Sequence, residues 1–512
     1  MKKKYILMTI AALLTFAFVS CNDWLDIEQN TEKKADAMFD NYDGFKGALA
    51  GCYSDLLKTD LYGTRLTMTD IEALADLWIL DVSNSNYDDQ MLTSAYFREH
   101  NYTHDLTETA IRSIYSAFYN TILEANMVIK ACPEHGDNIS DAKSRAVVEG
   151  EAYAIRALCH FEILRLFGQL PMNATIQVQL PYSEVTSIED HLTYYSFEDY
   201  VNKLKSDLEK AESLLKDNDP ACEYSLDQLN NIGAEGYEDV SVYDDFLYSR
   251  QYRMNYWAVK ALQARMYMYI GEKQMAHDLA LEVINATTTN GEKVAELSSL
   301  ADYGFPDNEE NEDHPRQFAS PSECLFALYV PDLYSLSVNI LNGSASSNAW
   351  PDQTYLMPRS MLNDLLLGLD AATDIRSKYQ WAVIDDRQQG YYGTIRKYWV
   401  NEDVASGLIP ILRLSEMYLI AVEGASTLAE SNQLYATYLA SKGSQAKNFE
   451  TSEDMQAEME KEYRREFFAE GQMFYYYKRN NVKRLWSNEN VDMRENDYIL
   501  PLPNTEYNTN NQ

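Results

Sequence analysis

A helix, a glycine and a second helix, with small side chains on the sides that face each other, constrain this chain most. From Tyr256, Ala258, Ala261 and Ala264 recur every three positions beside Tyr267; Gly271 then makes a turn, and Ala276, Ala280 and Ile284 point inward from a second helix. Small residues facing one another let two helix backbones pack closely. Such a pair cannot bury its apolar face alone, so it stacks on neighbours and builds a core as a series of pairs.

Met417 to Ala425, opened by Pro410 and carrying Ala421 and Gly424, reads as part of another such pair. No clean period of about 34 residues runs through the chain, so the units are degenerate tetratricopeptide-like pairs. Apolar residues at three- and four-residue steps extend the helical reading. They run through Phe39, Tyr42, Phe45, Leu49, Tyr53 and Leu56 between Ala35 and Leu57, and return over 108–132, 145–168, 197–216, 254–286, 411–440 and 455–480. Between Glu149 and Phe167, Ala154, Ala157, Leu158, Phe161 and Leu164 make one apolar stripe. Gly168 suits a left-handed helix end, and Pro171 prevents continuation. Strand-like alternation is scarce; Gln177 to Leu180 and Ile395 to Val400 are short candidates. The expectation is a mainly α fold with long loops over 217–245, 307–314 and 342–348.

The N-terminus reads as an export signal. Lys2, Lys3 and Lys4 precede an apolar run from Ile6 to Val19, which is too short to span a bilayer, and Ser20 leads into Cys21. A cysteine at the cleavage point is a lipoprotein signature: its thiol takes a diacylglycerol and the new N-terminus an acyl chain, enough for stable anchoring. The chain carries a net charge of −36, and loss of residues 1–20 removes three lysines and no acids, leaving −39. A surface that acidic, with no basic block, argues against nucleic-acid binding. Beyond the signal no apolar run approaches eighteen residues. The other cysteines, Cys52, Cys132, Cys159, Cys222 and Cys324, are odd in number and scattered, which is not a disulfide framework. Cys159, amid apolar helix residues, reads as a buried small hydrophobe.

Five separated motifs then resemble one family. Cys21-Asn22-Asp23-Trp24-Leu25-Asp26-Ile27-Glu28 is similar to its lipoprotein opening. Ala154-Ile155-Arg156-Ala157-Leu158, Phe161, Leu164-Arg165-Leu166-Phe167-Gly168 and Leu170-Pro171 resemble its helix ending in Arg-Leu-aromatic-Gly. Pro410 to Glu416, with Arg413 and later Glu423, resembles its Leu-Arg-x-x-Glu helix. Glu462, Arg464, Glu466, Phe467, Glu470-Gly471, Phe474 and Lys478-Arg479 resemble its Arg-x-Glu helix, with Met473 and Tyr476 departing from the common basic and acidic residues. Leu500-Pro501-Leu502-Pro503 with Glu506 resembles its closing segment. The chain thus resembles the SusD/RagB family of outer-membrane nutrient-binding lipoproteins. The resemblance implies a SusD-like fold divided as signal 1–20, tether 21–34, N-terminal region 35–220 and C-terminal region 221–512, with tetratricopeptide-like helices interleaved. It implies display on the outer membrane through Cys21, capture of an oligosaccharide, or alternatively a peptide, and delivery to a SusC-like TonB-dependent barrel. A peptide ligand would be cationic, given the charge.

Sugar rings offer apolar faces that stack on aromatic rings and hydroxyl edges that pair with Asp, Asn, Gln and Arg. Most of the 39 tyrosines must serve packing, so candidates are aromatics in polar loops. Trp350 is the first, beside Pro351 and with Asn348, Asp352 and Tyr355 in reach. The second cluster is Trp78, Asp81, Asn84, Asn86, Tyr87 and Asp88, although Trp78 sits in an apolar run that also suits a core helix. Tyr334 is a third candidate. Trp257 and Trp486 read as core; Trp381 and Trp399 are left open. His100 and His104, four apart, have no acid between them and no third ligand, so a structural role is favoured over a metal pair. Asp307 to Asp313 lacks the alternating acids and glycine of an EF-hand and reads as a solvated loop. No cofactor or metal is expected. No GxSxG, P-loop, GxGxxG or HExxH is present, and no catalytic residues are assigned; a surface glycosidase is the remaining enzyme reading, since paired carboxylates are too numerous to weigh.

Overall fold

The structure is a computed structural model and describes residues 37–187, 190–298, 320–338, 340–341, 355–386, 390–399, 407–445 and 447–504. The signal, Cys21, the tether, the 307–313 loop, Trp350 and Glu506 lie outside the described residues. The fold is mainly α. Its longer helices are α1 (Tyr42–Leu56), α2 (Asp89–Arg98), α3 (Asp105–His135), α4 (Ala142–Phe167), α5 (Phe197–Leu215), α6 (Tyr256–Tyr269), α7 (Lys273–Ile284), α8 (Leu414–Gly424), α9 (Leu428–Ser441), α10 (Ser452–Glu466) and α11 (Met473–Asn480). The starts of many are fixed by side chains that accept an otherwise unpaired first-turn amide. Asn41, Asp141, Ser196, Asn255, Thr427 and Thr451 do this, each contributing about 1 kcal/mol.

Helix packing follows the small-residue logic. α1 lies on α3, α3 on α4, α4 on α5, α5 on α6, α6 on α7, α7 on α8 and α8 on α9. Successive pairs therefore share one run, and a single buried apolar cluster extends from Phe39 to Leu500. Ala258, Ala261 and Ala264 on α6 are fully buried, as are Ala276 and Ala280 on α7. Gly271 between them has φ +86°, and a Cβ there would meet Met172 Sδ at 2.5 Å. α4 departs from the single stripe expected of it. From Ala154 to Phe167 every residue is buried, because α1, α3 and α5 all cover it. Gly168 is not left-handed: its φ is −75° and ψ 165°. Glycine is needed there because a Cβ would lie 2.4 Å from the Leu164 carbonyl oxygen.

The strands differ from the expected ones. β1 (Cys324–Val330) pairs antiparallel with β4 (Gly407–Arg413), and β2 (Trp381–Asp386) with β3 (Gly390–Ile395), where Met357–Pro358 adds a short third strand. Pro410 therefore does not open a helix; it pairs with Ala327 inside β4, a place proline tolerates in a two-stranded ribbon. α8 begins only at Leu414. The strand expected over 395–400 ends at Ile395, and of 177–180 only Leu180 joins a ribbon, with Tyr195. No helix among the described residues is long and apolar enough to cross a membrane. The five cysteines described are free, and Cys159 is fully buried with its thiol pKa well raised by desolvation.

Most of the charged residues in the helix motifs lie inside. Arg265 is clamped by Glu416 at 2.6 and 2.7 Å, and Arg479 by Glu423 at 2.6 and 3.1 Å. Arg413 reaches Glu323 at 2.7 Å and Glu466 and Glu470 at 2.8 Å. Around it Arg376, Lys397, Lys442 and Arg465 meet Asp374, Glu462, Glu466 and Glu470. With Glu323 this makes five cations and five carboxylates, all buried. Burial alone would raise the pKa of Glu466, but Lys442, Arg413, Arg376 and Lys397 together hold it well below the ordinary carboxylate value.

Candidate ligand-binding site

Trp78 is not a surface platform. It is fully buried, its indole N–H donates to the Met68 carbonyl at 2.8 Å, and its ring packs edge-on against Phe468 and Tyr355 at 4.8 and 5.7 Å. The short helix Asp70–Leu74 turns this segment inward, so an apolar ring with one satisfied N–H belongs to the core. Trp381 packs on Phe468 at 5.0 Å and is core as well.

The residues after Trp78 do reach the surface. Asp81 is exposed and accepts from the Ser83 amide at 2.8 Å and hydroxyl at 2.7 Å; these bonds lower its carboxyl pKa. Asn84 accepts from the Asn86 amide at 3.0 Å, and Asp88 from the Met91 amide at 2.9 Å, which starts α2. The segment is thus a succession of Asx-type turns ending in a helix cap. Such turns hold polar side chains outward without a regular element. Asn86 is exposed; Tyr87 is half-buried and leans on the core.

A second segment meets this one from below. Ser94 on α2 bonds the Tyr355 hydroxyl at 2.8 Å and donates to Asp70, which Arg65 also holds. Burial raises the pKa of Asp70 against the opposing pull of Arg65. The Tyr355 amide donates to the Ile340 carbonyl at 2.9 Å. Residues 340 and 355 are therefore joined, and the base of the 342–354 segment is fixed to α2 just past Tyr87. Tyr355 itself is a buried strut. Trp350, Asn348 and Asp352 lie outside the described residues. Tyr334 is half-buried on the short helix Leu333–Ser337, which leads into the same base; Ser337 donates to the Tyr398 carbonyl at 3.0 Å.

The remaining tryptophans are half-buried at the edge of the core. Trp399 donates to Leu341 at 3.3 Å, with Arg396 5.1 Å from its ring. Trp257 donates to Ala221 at 2.9 Å and Trp486 to Asp364 at 2.6 Å. His100 and His104 share no helix. His104 caps α3 by accepting from the Leu106 amide at 3.2 Å and stacks on Tyr96 at 3.7 Å, whereas His100 is half-buried at φ +53°. No group of three or more metal-ligating side chains occurs among the described residues. One feature was missed in the sequence: Tyr329, 48% exposed, pairs edge-on with Tyr252 at 5.6 Å. The signal was present, since Tyr329 is the single exposed residue of β1, but a mostly apolar run hid it.

A SusD-like family model, described as starch-binding associating with outer membrane, matches residues 61–226. No curated protein matches the sequence. Among solved structures, a SusD superfamily protein of Bacteroides thetaiotaomicron is 21% identical, with a TM-score of 0.66, covering 92% of this chain and 98% of its own. A laminarin-binding SusD-like protein is 18% identical (TM-score 0.58, 91% and 97% covered). Surface glycan-binding protein A of Bacteroides uniformis is 15% identical (TM-score 0.66, 91% and 97% covered). The shared fold runs over nearly the whole chain, and the matched segment contains the Asx-turn surface and α2 to α5. On these grounds the chain has a SusD-like fold, and its residues 61–226 match a SusD-like family model.

Proposed function

We propose that this chain is a cell-surface lipoprotein that captures an oligosaccharide and passes it to a SusC-like TonB-dependent transporter, making and breaking no bond. The observation that carries this reading is the joint between Ile340, Tyr355 and Ser94. It ties the base of the Trp350-bearing segment to the helix that follows Asp81, Asn86 and Tyr87. Trp350 stands five residues before Tyr355, and five residues reach at most about 18 Å. On this reading Trp350 would offer a platform for a sugar face and Asp81 and Asn86 polar edges for its hydroxyls. The carbohydrate ligands named for two proteins of the same fold agree with this chemistry. The anchor would be the lipid on Cys21.

Titration against a glycan panel tests it. Trp350→Ala and Tyr87→Ala are each expected to weaken binding about tenfold, or about 1.4 kcal/mol. Unchanged affinity in both sinks the site. New reducing ends on incubation with glycans would replace the binder by a hydrolase. Strong salt dependence would point to a cationic peptide, since stacking on a neutral glycan barely responds to screening.

A further inference from the structure

Away from that surface, a cavity of about 30 Å³ lies where α4, α6, α8, α10 and α11 meet. Arg165, Arg265 and Arg479 line it together with Tyr269, Tyr476 and the carboxylate of Glu416. Arg165, Arg265, Tyr269, Tyr476 and Glu416 are buried and Arg479 is partly so. Four of their polar atoms have no hydrogen-bond partner among the described residues: Arg165 Nε, Arg265 Nη1 and the hydroxyls of Tyr269 and Tyr476. Each such atom costs about 1–3 kcal/mol if left unmet. All four can donate, and two carry full positive charge. The other faces of the arginines are committed: Arg165 to Glu162 and Gln472, Arg265 to Glu416, Arg479 to Glu423.

We propose that this cavity binds one small monovalent inorganic anion, of which chloride is the abundant example, and that the anion clamps α11 onto α4 and α6. The volume exceeds the roughly 10–15 Å³ that a single water needs. The one carboxylate in the lining, Glu416, is already clamped by Arg265; a water accepts only two hydrogen bonds, whereas a halide can accept from several donors at once. A further buried basic residue stands beside the lining residue Arg479. Lys478, next to Arg479, is buried and has no carboxylate partner among the described residues. Its ammonium donates to the carbonyls of Arg165, Leu166 and Gly168 at 2.8, 3.4 and 2.7 Å. Burial, with the Arg165 charge beside it, pushes the Lys478 pKa well down.

Two measurements decide it. Crystals of the protein grown in sodium bromide are expected to show an anomalous bromine peak in the cavity, in contact with Arg165 and Arg265. Ordered water there with no peak overturns the proposal. Thermal unfolding at matched ionic strength is expected to give a Tm about 2 °C or more higher in chloride than in gluconate; equal values overturn it. Tyr476→Asp, which ties a carboxylate into the cavity, is expected to abolish the chloride effect, and a chloride effect that persists in that variant counts against the site. Should that variant not fold, the bromide peak in the unaltered protein still decides.

Discussion

The ionic core around Arg413 and the surface segment from Asp81 to Asp88 are both rich in charged and polar residues, yet they obey different rules. In the core most charges face a partner drawn from another element: Glu323 precedes β1, Arg413 ends β4, Glu466 ends α10 and Lys442 follows α9. Removing any one strands the others without water. In the surface segment the bonds from the Ser83, Asn86 and Met91 amides run two or three residues along the chain. A residue there can change without disturbing anything distant. The first region ties distant elements together, and the second is held mainly by its own turns.

The largest effect should come from the core. Arg413→Met leaves Glu323, Glu466 and Glu470 without their shared cation, and about 3–5 kcal/mol of stability is expected to vanish in denaturant unfolding. A loss under about 1 kcal/mol would mean that the core tolerates substitution as the surface does, and the contrast would fail.

The next effect depends on pH. Glu72 is buried, accepts from the Gly471 amide at 2.7 Å, and is pushed up by burial to a pKa of about 8 from an ordinary 4.5. The native state then keeps a proton that the unfolded chain has already released above 4.5. Stability is fully present below that value and falls as pH climbs towards about 8. Glu72→Gln is expected to flatten this decline and to gain on the parent most clearly above pH 8, as read by Tm across the range. A parallel decline in both proteins would show that Glu72 titrates normally.

The smallest effect on folding belongs to the surface. Asn86→Ala should change stability by no more than about 0.5 kcal/mol. If its amide meets a sugar hydroxyl, glycan affinity should drop by about 1 kcal/mol, roughly fivefold. Tm and calorimetric titration on one sample separate the two, and a large loss of Tm would place Asn86 among the structural residues.

This contrast also explains what the sequence disclosed. The alanines of α6 and α7 were legible because close helix packing permits few alternatives at those positions, whereas the buried Arg–Glu pairs join residues far apart in sequence and were not read from it. Gly168 was noticed for the wrong reason: a sequence reveals a glycine but not whether φ or a close carbonyl requires it. Pro410 misled because a strand feeding straight into a helix leaves no break in the apolar pattern. Trp78 was ambiguous because an indole with one hydrogen bond suits a core and a binding platform equally. Only the neighbours supplied by distant segments, Phe468 and Tyr355, decide between them.

The bond from the Tyr355 amide to the Ile340 carbonyl has a consequence for how freely the chain between them can vary. Because the chain is already stitched together at that point, whatever runs between the two residues is an interchangeable cassette. Doubling its length adds only about 0.6 kcal/mol of closure entropy, and none of the helices beneath needs to be rebuilt. A new ligand could be acquired by rewriting one stretch of chain while the remaining residues go on folding as before.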